Sequence, residues 1–296
     1  MRRLLLLLGI GAATSLASWL GWRYGAVTLP YGTVMSPTPV PEDGKVLGRI
    51  YLNDYFDLSY PLPEGWTEGL AGPDPSDTGY YVLSSFVPKS EQNATILIAA
   101  QDMFFASKSY DDIAEMAHDF RQAMSEVDGM TIDREPTEVR VADRRLYRVD
   151  FSGVGLYRAT FTTEIRCHAV SFNLTSRDPE LLASLASSVD KLSSVGKRES
   201  GGSRAPLCIE HYVVAENLLR RVEPVPVGAK FTSIPVRIVV DTEGRVKHIH
   251  VIRATAEQRK SIEDALRQWT FKPYSLDGRA VEIETGLVFR FTLAEK

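Results

Sequence analysis

The sequence predicts an α+β protein: an N-terminal membrane helix, then an antiparallel sheet domain with two helices, then a domain made of a hairpin, a helix and a long last strand. Three observations predict this class. Two arginines precede an uncharged run from Leu4 to Trp22. Apolar residues alternate along several central segments, which is typical of strands with one buried face. Strand, turn, strand, helix and strand patterns then follow from Ser233 to Leu293.

The N-terminal run predicts a signal anchor over residues 1–25. A helix of roughly 20 apolar residues can span a bilayer, and the preceding arginines favour a cytoplasmic N-terminus. The expected location is therefore the bacterial inner membrane, crossed once, with the later domains in the periplasm. Ser15-Leu16-Ala17 also fits a signal-peptidase site. A cleaved signal peptide is the alternative, and it exports the chain equally well.

Proline, glycine and serine content predicts the domain boundaries. Residues 26–45, with Pro37, Pro39 and Pro41, form a short stiffened linker. Residues 46–193 form the α+β domain. Residues 194–206, rich in glycine and serine, form a second linker, and residues 207–296 form the C-terminal domain.

Within the α+β domain, alternation predicts four to six strands, and capping residues predict two helices. Ser109 is the expected N-cap of the first helix. Asp178-Pro179 opens the second, with proline at its first position. The segment Tyr-Phe-Asp-Leu-Ser-Tyr-Pro-Leu-Pro-Glu-Gly-Trp (55–66) resembles the start of a PsbP-like domain.

The C-terminal domain is predicted element by element. A strand over 234–240 meets the turn Asp241-Thr-Glu-Gly244, and a second strand returns. Thr255 with Gln258 forms a capping box before a short helix. Alternation after Val281 predicts the long last strand. Upstream, apolar spacing over 208–222 predicts one further helix.

These segments resemble the C-terminal domain of TonB-family proteins. The resemblance rests on Ile-Pro-Val-Arg-Ile-Val-Val-Asp-Thr-Glu-Gly-Arg-Val (234–246), Ala-Leu-Arg-Gln-Trp-Thr-Phe-Lys-Pro-Tyr (265–274), Asp-Gly-Arg-Ala-Val (277–281) and a closing Phe-x-Phe. It implies a sheet edge near the C-terminus that accepts an extended peptide. The alternative is an edge protected against aggregation by its charges. The residues expected at this edge are Glu282, Glu284, Val288, Arg290 and Thr292.

Cys167 and Cys208 are the only cysteines. In an exported protein two cysteines often pair, and such a bridge would stabilise the fold by roughly 2–4 kcal/mol. The alternative is two buried thiols that never meet.

The leading functional hypothesis is a membrane-tethered, non-enzymatic periplasmic protein that binds an envelope protein. No catalytic constellation, cofactor motif or complete metal-ligand set stands out. The net charge of −4, without a basic patch, disfavours nucleic acid.

Two alternatives remain. One is an energy transducer for outer-membrane receptors, but the linker is short and the run from Leu4 to Trp22 lacks the histidine of that family's transducers. The other is a protein that binds a small molecule or lipid. Its pocket would be lined by aromatics that otherwise form core: Tyr55, Phe56, Tyr60, Trp66, Tyr80 and Tyr81.

Overall fold

Two antiparallel sheets make up the first part of the protein. The computed structural model describes residues 39–90, 93–195, 205–228 and 230–291. The small sheet contains β1 (Lys45–Leu47), β2 (Ile50–Asn53) and β3 (Leu58–Pro61) in that order. The large sheet has the order β4-β5-β6-β10-β9-β8-β7. Its strands are β4 (Trp66–Glu68), β5 (Tyr80–Pro88), β6 (Ala94–Asp102), β7 (Met130–Val141), β8 (Arg144–Gly153), β9 (Leu156–Ile165) and β10 (His168–Ser176).

Two helices cover opposite faces of the large sheet. Helix α1 (Ile113–Ser125) contacts β7, β8 and β9. Helix α2 (Pro179–Ser188) packs on β9 and β10 and begins at Asp178 with proline in its first turn, as the sequence predicts. The N-cap of α1 is Asp112, whose side chain accepts from the Glu115 N–H. The helix therefore begins after the predicted cap at Ser109.

The main core lies between the large sheet, α2 and the small sheet. Five of the six aromatics considered for a pocket belong to this core, and their buried side chains pack against neighbouring strands: Tyr55, Phe56, Tyr60, Trp66 and Tyr81. Burial raises the pKa of Tyr60 to about 12, and its hydroxyl contacts Ser188 Oγ at 2.6 Å. Tyr80 is 40% exposed. The five buried aromatics therefore stabilise the fold as part of its core.

The C-terminal module, residues 205–291 as described, follows the predicted order of hairpin, helix and long strand. Its four-stranded sheet has the order β11-β18-β13-β14. Helix α3 (Ala256–Leu266) begins at Thr255 with the expected capping box to Gln258. The strands are β11 (Leu207–Cys208), β12 (Leu218–Arg220), β13 (Ser233–Val240), β14 (Val246–Val251), β15 (Thr270–Phe271), β16 (Ser275–Leu276), β17 (Arg279–Ala280) and β18 (Ile283–Arg290).

The predicted helix over 208–222 is wrong. The segment contains β11, a series of turns and β12, with His211 at φ 55°. Tyr212 is buried against Phe271 and Tyr274, with ring centroids 5.9 and 5.8 Å away. Strand pairing and aromatic packing with the rest of the module therefore override the helical spacing of this segment.

The described residues from Pro39 onward form one compact unit. The domain boundary expected at 194–206 lies largely outside the described residues and stays a prediction. The predicted anchor, residues 1–25, also lies outside them. In the part of the chain that is described, no helix has both the length and the apolarity needed to cross a bilayer.

The hairpin glycine between β13 and β14 gives a first test. Gly244 has φ +81°, and a Cβ there would overlap the backbone of Phe271, whose N–H donates to the Gly244 carbonyl at 2.7 Å. Gly278 has a similar φ of +76° but faces open space. We expect Gly278→Ala to lower the free energy of unfolding by about 1–2 kcal/mol.

We expect Gly244→Ala to cost about 1–3 kcal/mol more than Gly278→Ala, because it adds overlap to the same backbone strain. Urea unfolding of both variants measures the difference. Equal losses would contradict the close approach at Gly244.

Candidate functional site

A buried arginine lies where the C-terminal module meets the first part of the chain. Strand β13 is buried along nearly its whole length. One face, with Val236 and Ile238, joins the core under α3. Arg237 lies on the other face, is 2% exposed, and its guanidinium carbon lies 4.6 Å from the ring centroid of Phe104. The charge is therefore held between the two parts of the unit.

Two carboxylates from different parts of the chain pair with Arg237. Its Nη1 lies 2.7 Å from Asp102 Oδ1, at the end of β6. Its Nη2 lies 3.2 Å from Glu284 Oε1 on β18 and donates to the Arg166 carbonyl at 3.1 Å. Tyr55 donates to the same Glu284 oxygen at 3.3 Å. These five residues form the charge cluster.

Arg237 remains charged although the charge cluster is buried. Burial acts to lower the pKa of Arg237, but attraction by Asp102 and Glu284 outweighs it and raises that pKa. Burial raises the pKa of Asp102, and Arg237 opposes that shift. A buried ion pair costs desolvation that only close pairing offsets. Each charge in the cluster therefore depends on the others being in place.

A neutral histidine adjoins the charge cluster. His168 is fully buried, and its Nδ1 lies 2.7 Å from the Arg166 carbonyl oxygen. Its Nε2 lies 3.7 Å from Asp102 Oδ2, which is too long for a hydrogen bond. Burial, reinforced by Arg237, lowers the pKa of His168 well below its ordinary value. The imidazole is therefore uncharged at neutral pH.

The tight turn between β9 and β10 links the charge cluster to a disulfide. Arg166 and Cys167 occupy this turn with φ of 51° and 60°, a conformation unusual for residues other than glycine. Arg166 stacks on the Tyr55 ring at 4.0 Å, and its Nη2 lies 3.7 Å from Glu284 Oε2. Cys167 forms a disulfide with Cys208, with Cα atoms 5.8 Å apart. The turn thus joins the two parts of the unit by charge and by a covalent bond.

One feature of the sequence, a single charge within a buried strand, indicates the charge cluster. Arg237 interrupts an otherwise apolar run, Ile-Pro-Val-Arg-Ile-Val-Val, in a strand buried on both faces. A charge in such a strand requires a buried partner. Asp102 and His168 are completely buried, so a substrate has no access to them, and the charge cluster acts as a structural junction.

The expected partner edge, β18, is half covered. It pairs with β13 along its length. On its other side, Ile283 and Glu284 pair with Leu207 and Cys208 of β11, and the Glu284 carbonyl accepts from the Ile209 N–H at 3.0 Å. The described residues place no further strand beyond this pairing. The second half of β18 is therefore an open edge.

Backbone direction identifies the free groups on this open edge. The Phe291 N–H donates to the Thr232 carbonyl at 2.9 Å, on the β13 side. Because these groups alternate in direction along an antiparallel strand, Gly286, Val288 and Arg290 direct N–H and C=O away from β13. Within the described ranges these groups have no hydrogen-bond partner.

A groove of about 380 Å³ runs beside the end of this edge. Residues 221–227 form its far wall, and Pro224 and Pro226 face it. Proline lacks a backbone N–H, so this wall is poorly suited to pair with β18 as a strand. Val288 is 42% exposed at the groove. The geometry leaves room for an extended chain.

The structure describes four of the five predicted edge residues, and it places them in three different settings. Val288 and Arg290 are exposed on the open edge. Glu282 pairs with Lys247 at 2.6 Å. Glu284 is 4% exposed and belongs to the charge cluster, so it faces the protein interior and not a surface partner. Thr292 lies outside the described residues.

The architecture is that of a mixed α+β protein with a hairpin, helix and strand module at its C-terminus. Residues 231–293 match the family model described as Gram-negative bacterial TonB protein C-terminal. The resemblance noted in the sequence is thereby confirmed for this module. No curated protein shows significant similarity to the chain.

Three of the solved structures that are similar to part of the chain are the following. Cyanobacterial PsbP (CyanoP) from Synechocystis sp. PCC 6803 has 14% identity and a TM-score of 0.36, covering 56% of this chain and 99% of its own. The TonB C-terminal domain of Pseudomonas aeruginosa has 17% identity and a TM-score of 0.24, covering 29% and 95%. LpqN of Mycobacterium tuberculosis, involved in cell envelope biogenesis, has 14% identity and a TM-score of 0.34, covering 46% and 82%.

Removing the central cation of the charge cluster tests its structural role. Arg237→Met leaves Asp102 and Glu284 buried without their main partner, so we expect a loss of about 3–5 kcal/mol in the free energy of unfolding. Arg267→Met is the control, because Arg267 forms an exposed ion pair with Glu263 at 3.1 Å. Its expected cost is about 0.3–0.5 kcal/mol. Similar losses in both variants would contradict the role of the charge cluster.

The neutral histidine predicts a pH dependence of stability. His168 has a lowered pKa in the folded state, whereas an unfolded histidine titrates near 6.5. As pH falls below about 6.5, the unfolded chain binds a proton that the folded state does not. The free energy of unfolding therefore falls, by up to about 1.4 kcal/mol per pH unit for this group.

His168→Asn is the comparison, because its amide can donate to the Arg166 carbonyl without titrating. Asp102 has a raised pKa in the folded state, so its effect on stability as pH falls is opposite to that of His168. This effect is present in both proteins. The other charged and titratable groups that face His168 are also present in both proteins: Arg166, Arg237, Tyr55, Tyr81 and His250. We expect urea unfolding between about pH 7 and 5 to show a shallower decline in the variant. Parallel curves would rule out His168 as the source.

Proposed function

We propose that this protein is a membrane-tethered periplasmic protein of the Gram-negative envelope whose C-terminal module binds a protein partner. The open edge of β18 carries the proposal, since Gly286, Val288 and Arg290 present unpaired backbone groups beside a groove. An extended segment of the partner adds there as a further strand. The match of residues 231–293 to the TonB C-terminal model supports a location in the Gram-negative envelope.

Two further features support a location in the envelope. The uncharged run from Leu4 to Trp22 fits an inner-membrane anchor. A disulfide between Cys167 and Cys208 suits an oxidising compartment outside the cytoplasm. The partner is therefore sought among envelope proteins that present an extended segment in the periplasm.

The energy-transducer alternative has less support. Residues 26–45 would reach at most about 70 Å if fully extended. The charge cluster and the disulfide hold the C-terminal module against the first part of the chain. The module therefore lacks the freedom to extend toward an outer-membrane receptor on its own.

Site-specific photo-crosslinking in the native host tests the binding edge. A photoreactive residue at position 290 should form an adduct with an envelope protein. The same residue at position 276, where Leu276 is 45% exposed on the β16–β17 hairpin, is the control. An outer-membrane receptor as the adduct would favour the energy transducer. No adduct at 290, or equal adducts at both positions, would contradict the proposal.

A matched pair of substitutions tests strand addition itself. Val288→Pro removes one outward N–H of the edge and leaves the bonds to β13, which involve the alternate residues, in place. Val288→Thr keeps the N–H and the shape of the side chain. We expect the adduct at 290 to fall about tenfold with proline, equivalent to 1.4 kcal/mol, and to persist with threonine. Equal yields from the two folded variants would exclude main-chain pairing.

A further inference from the structure

The face of the large sheet opposite α2 contains a cavity of about 460 Å³. Helix α1 forms its roof, and strands β9 and β10 form its floor. The helix contacts β7, β8 and β9, so it covers one side of the sheet and leaves space over the centre. The volume is within the range of small-molecule sites in proteins.

The floor of the cavity is polar at a position where a packed sheet is normally apolar. Thr160 Oγ1 donates to Asn173 Oδ1 at 3.1 Å, and Asn173 Nδ2 donates to Ser171 Oγ at 2.9 Å. The proton of the Ser171 hydroxyl has no acceptor among the described residues. On the other face, the same strands carry buried Phe161 and Phe172. Packing of the fold therefore does not require the polar row.

The roof is apolar and adaptable. Met116, Phe120 and Met124 are spaced four residues apart on α1, so they form one stripe above the floor. All three are half-buried and not fully buried. Methionine side chains are flexible and polarisable, which suits contact with a variable apolar ligand.

An arginine adds a positive charge to this cavity. Arg158 is half-buried in the cavity lining, and its guanidinium carbon lies 5.7 Å from the Phe151 ring centroid. Within the described residues it forms no ion pair with a carboxylate. A cation beside apolar walls attracts an anion more strongly than one in open water. The positive charge of Arg158 therefore favours a negatively charged ligand.

We propose that this cavity binds a small amphipathic organic anion. Its carboxylate pairs with Arg158, and its apolar chain lies between the polar row and the stripe on α1. The Ser171 hydroxyl is a free donor for a second polar atom of the ligand. This site is separate from the β18 edge, so it stands or falls independently of the proposed partner binding.

Binding of decanoate, measured by calorimetry and by amide chemical shifts, tests the site. The protein used begins at Pro39, because the described residues from there form one compact unit and the apolar leader would itself bind amphiphiles. We expect saturable binding below the micellar range, with shifts centred on Ser171, Asn173 and Met116. Decyltrimethylammonium has the same chain with the opposite charge and should bind at least about tenfold more weakly.

Substitutions then separate charge from shape. Arg158→Gln should weaken decanoate binding about tenfold. Arg177→Gln, an exposed arginine outside the cavity, should leave binding unchanged. Met116→Trp should abolish binding by filling the space, provided that circular dichroism shows it folded. The proposal fails if decanoate does not saturate, if Arg158→Gln binds as well as the original protein, or if the cationic amphiphile binds equally.

Discussion

The pairing of Arg237 with Asp102 and Glu284 is the constraint on which the arrangement of this protein depends. The guanidinium comes from the hairpin of the C-terminal module, one carboxylate comes from the large sheet, and the other comes from the last strand. None of the three is exposed enough for water to replace a missing partner. Removing one partner of a buried ion pair costs about 3–5 kcal/mol. The charges therefore fix the orientation of the C-terminal module against the large sheet, and they also help to hold it in that position.

The same constraint divides β18 into two functional halves. Its first half lies in the junction, where β11 covers the edge and Glu284 faces inward. Gly286 marks the limit, because a Cβ there would overlap Phe104 and Phe105. Beyond it the strand leaves the junction, and Val288 and Arg290 reach solvent. One strand thus anchors the module in its first half and has an open edge in its second half.

Local signals in the sequence predicted much of the fold. The capping box at Thr255 and the proline that opens α2 depend only on neighbouring residues, and both occur where expected. The helix expected over 208–222 failed because Tyr212 packs on strands far along the chain. The charge cluster and the cavity were not predicted, since each depends on side chains brought together from distant segments. The open edge was expected from a family resemblance, but the burial of Glu284 depended on how the module is seated.

The link between Cys167 and Cys208 changes what happens when the junction loosens. It closes a loop with a sequence separation of 41 and adjoins both Arg166 and the strand that covers Glu284. If Arg237 separated from its carboxylates, the covalent tether would keep these groups near one another. Their effective concentration would be on the order of millimolar. The disulfide therefore keeps the C-terminal module close to its native position even when the charges of the junction separate.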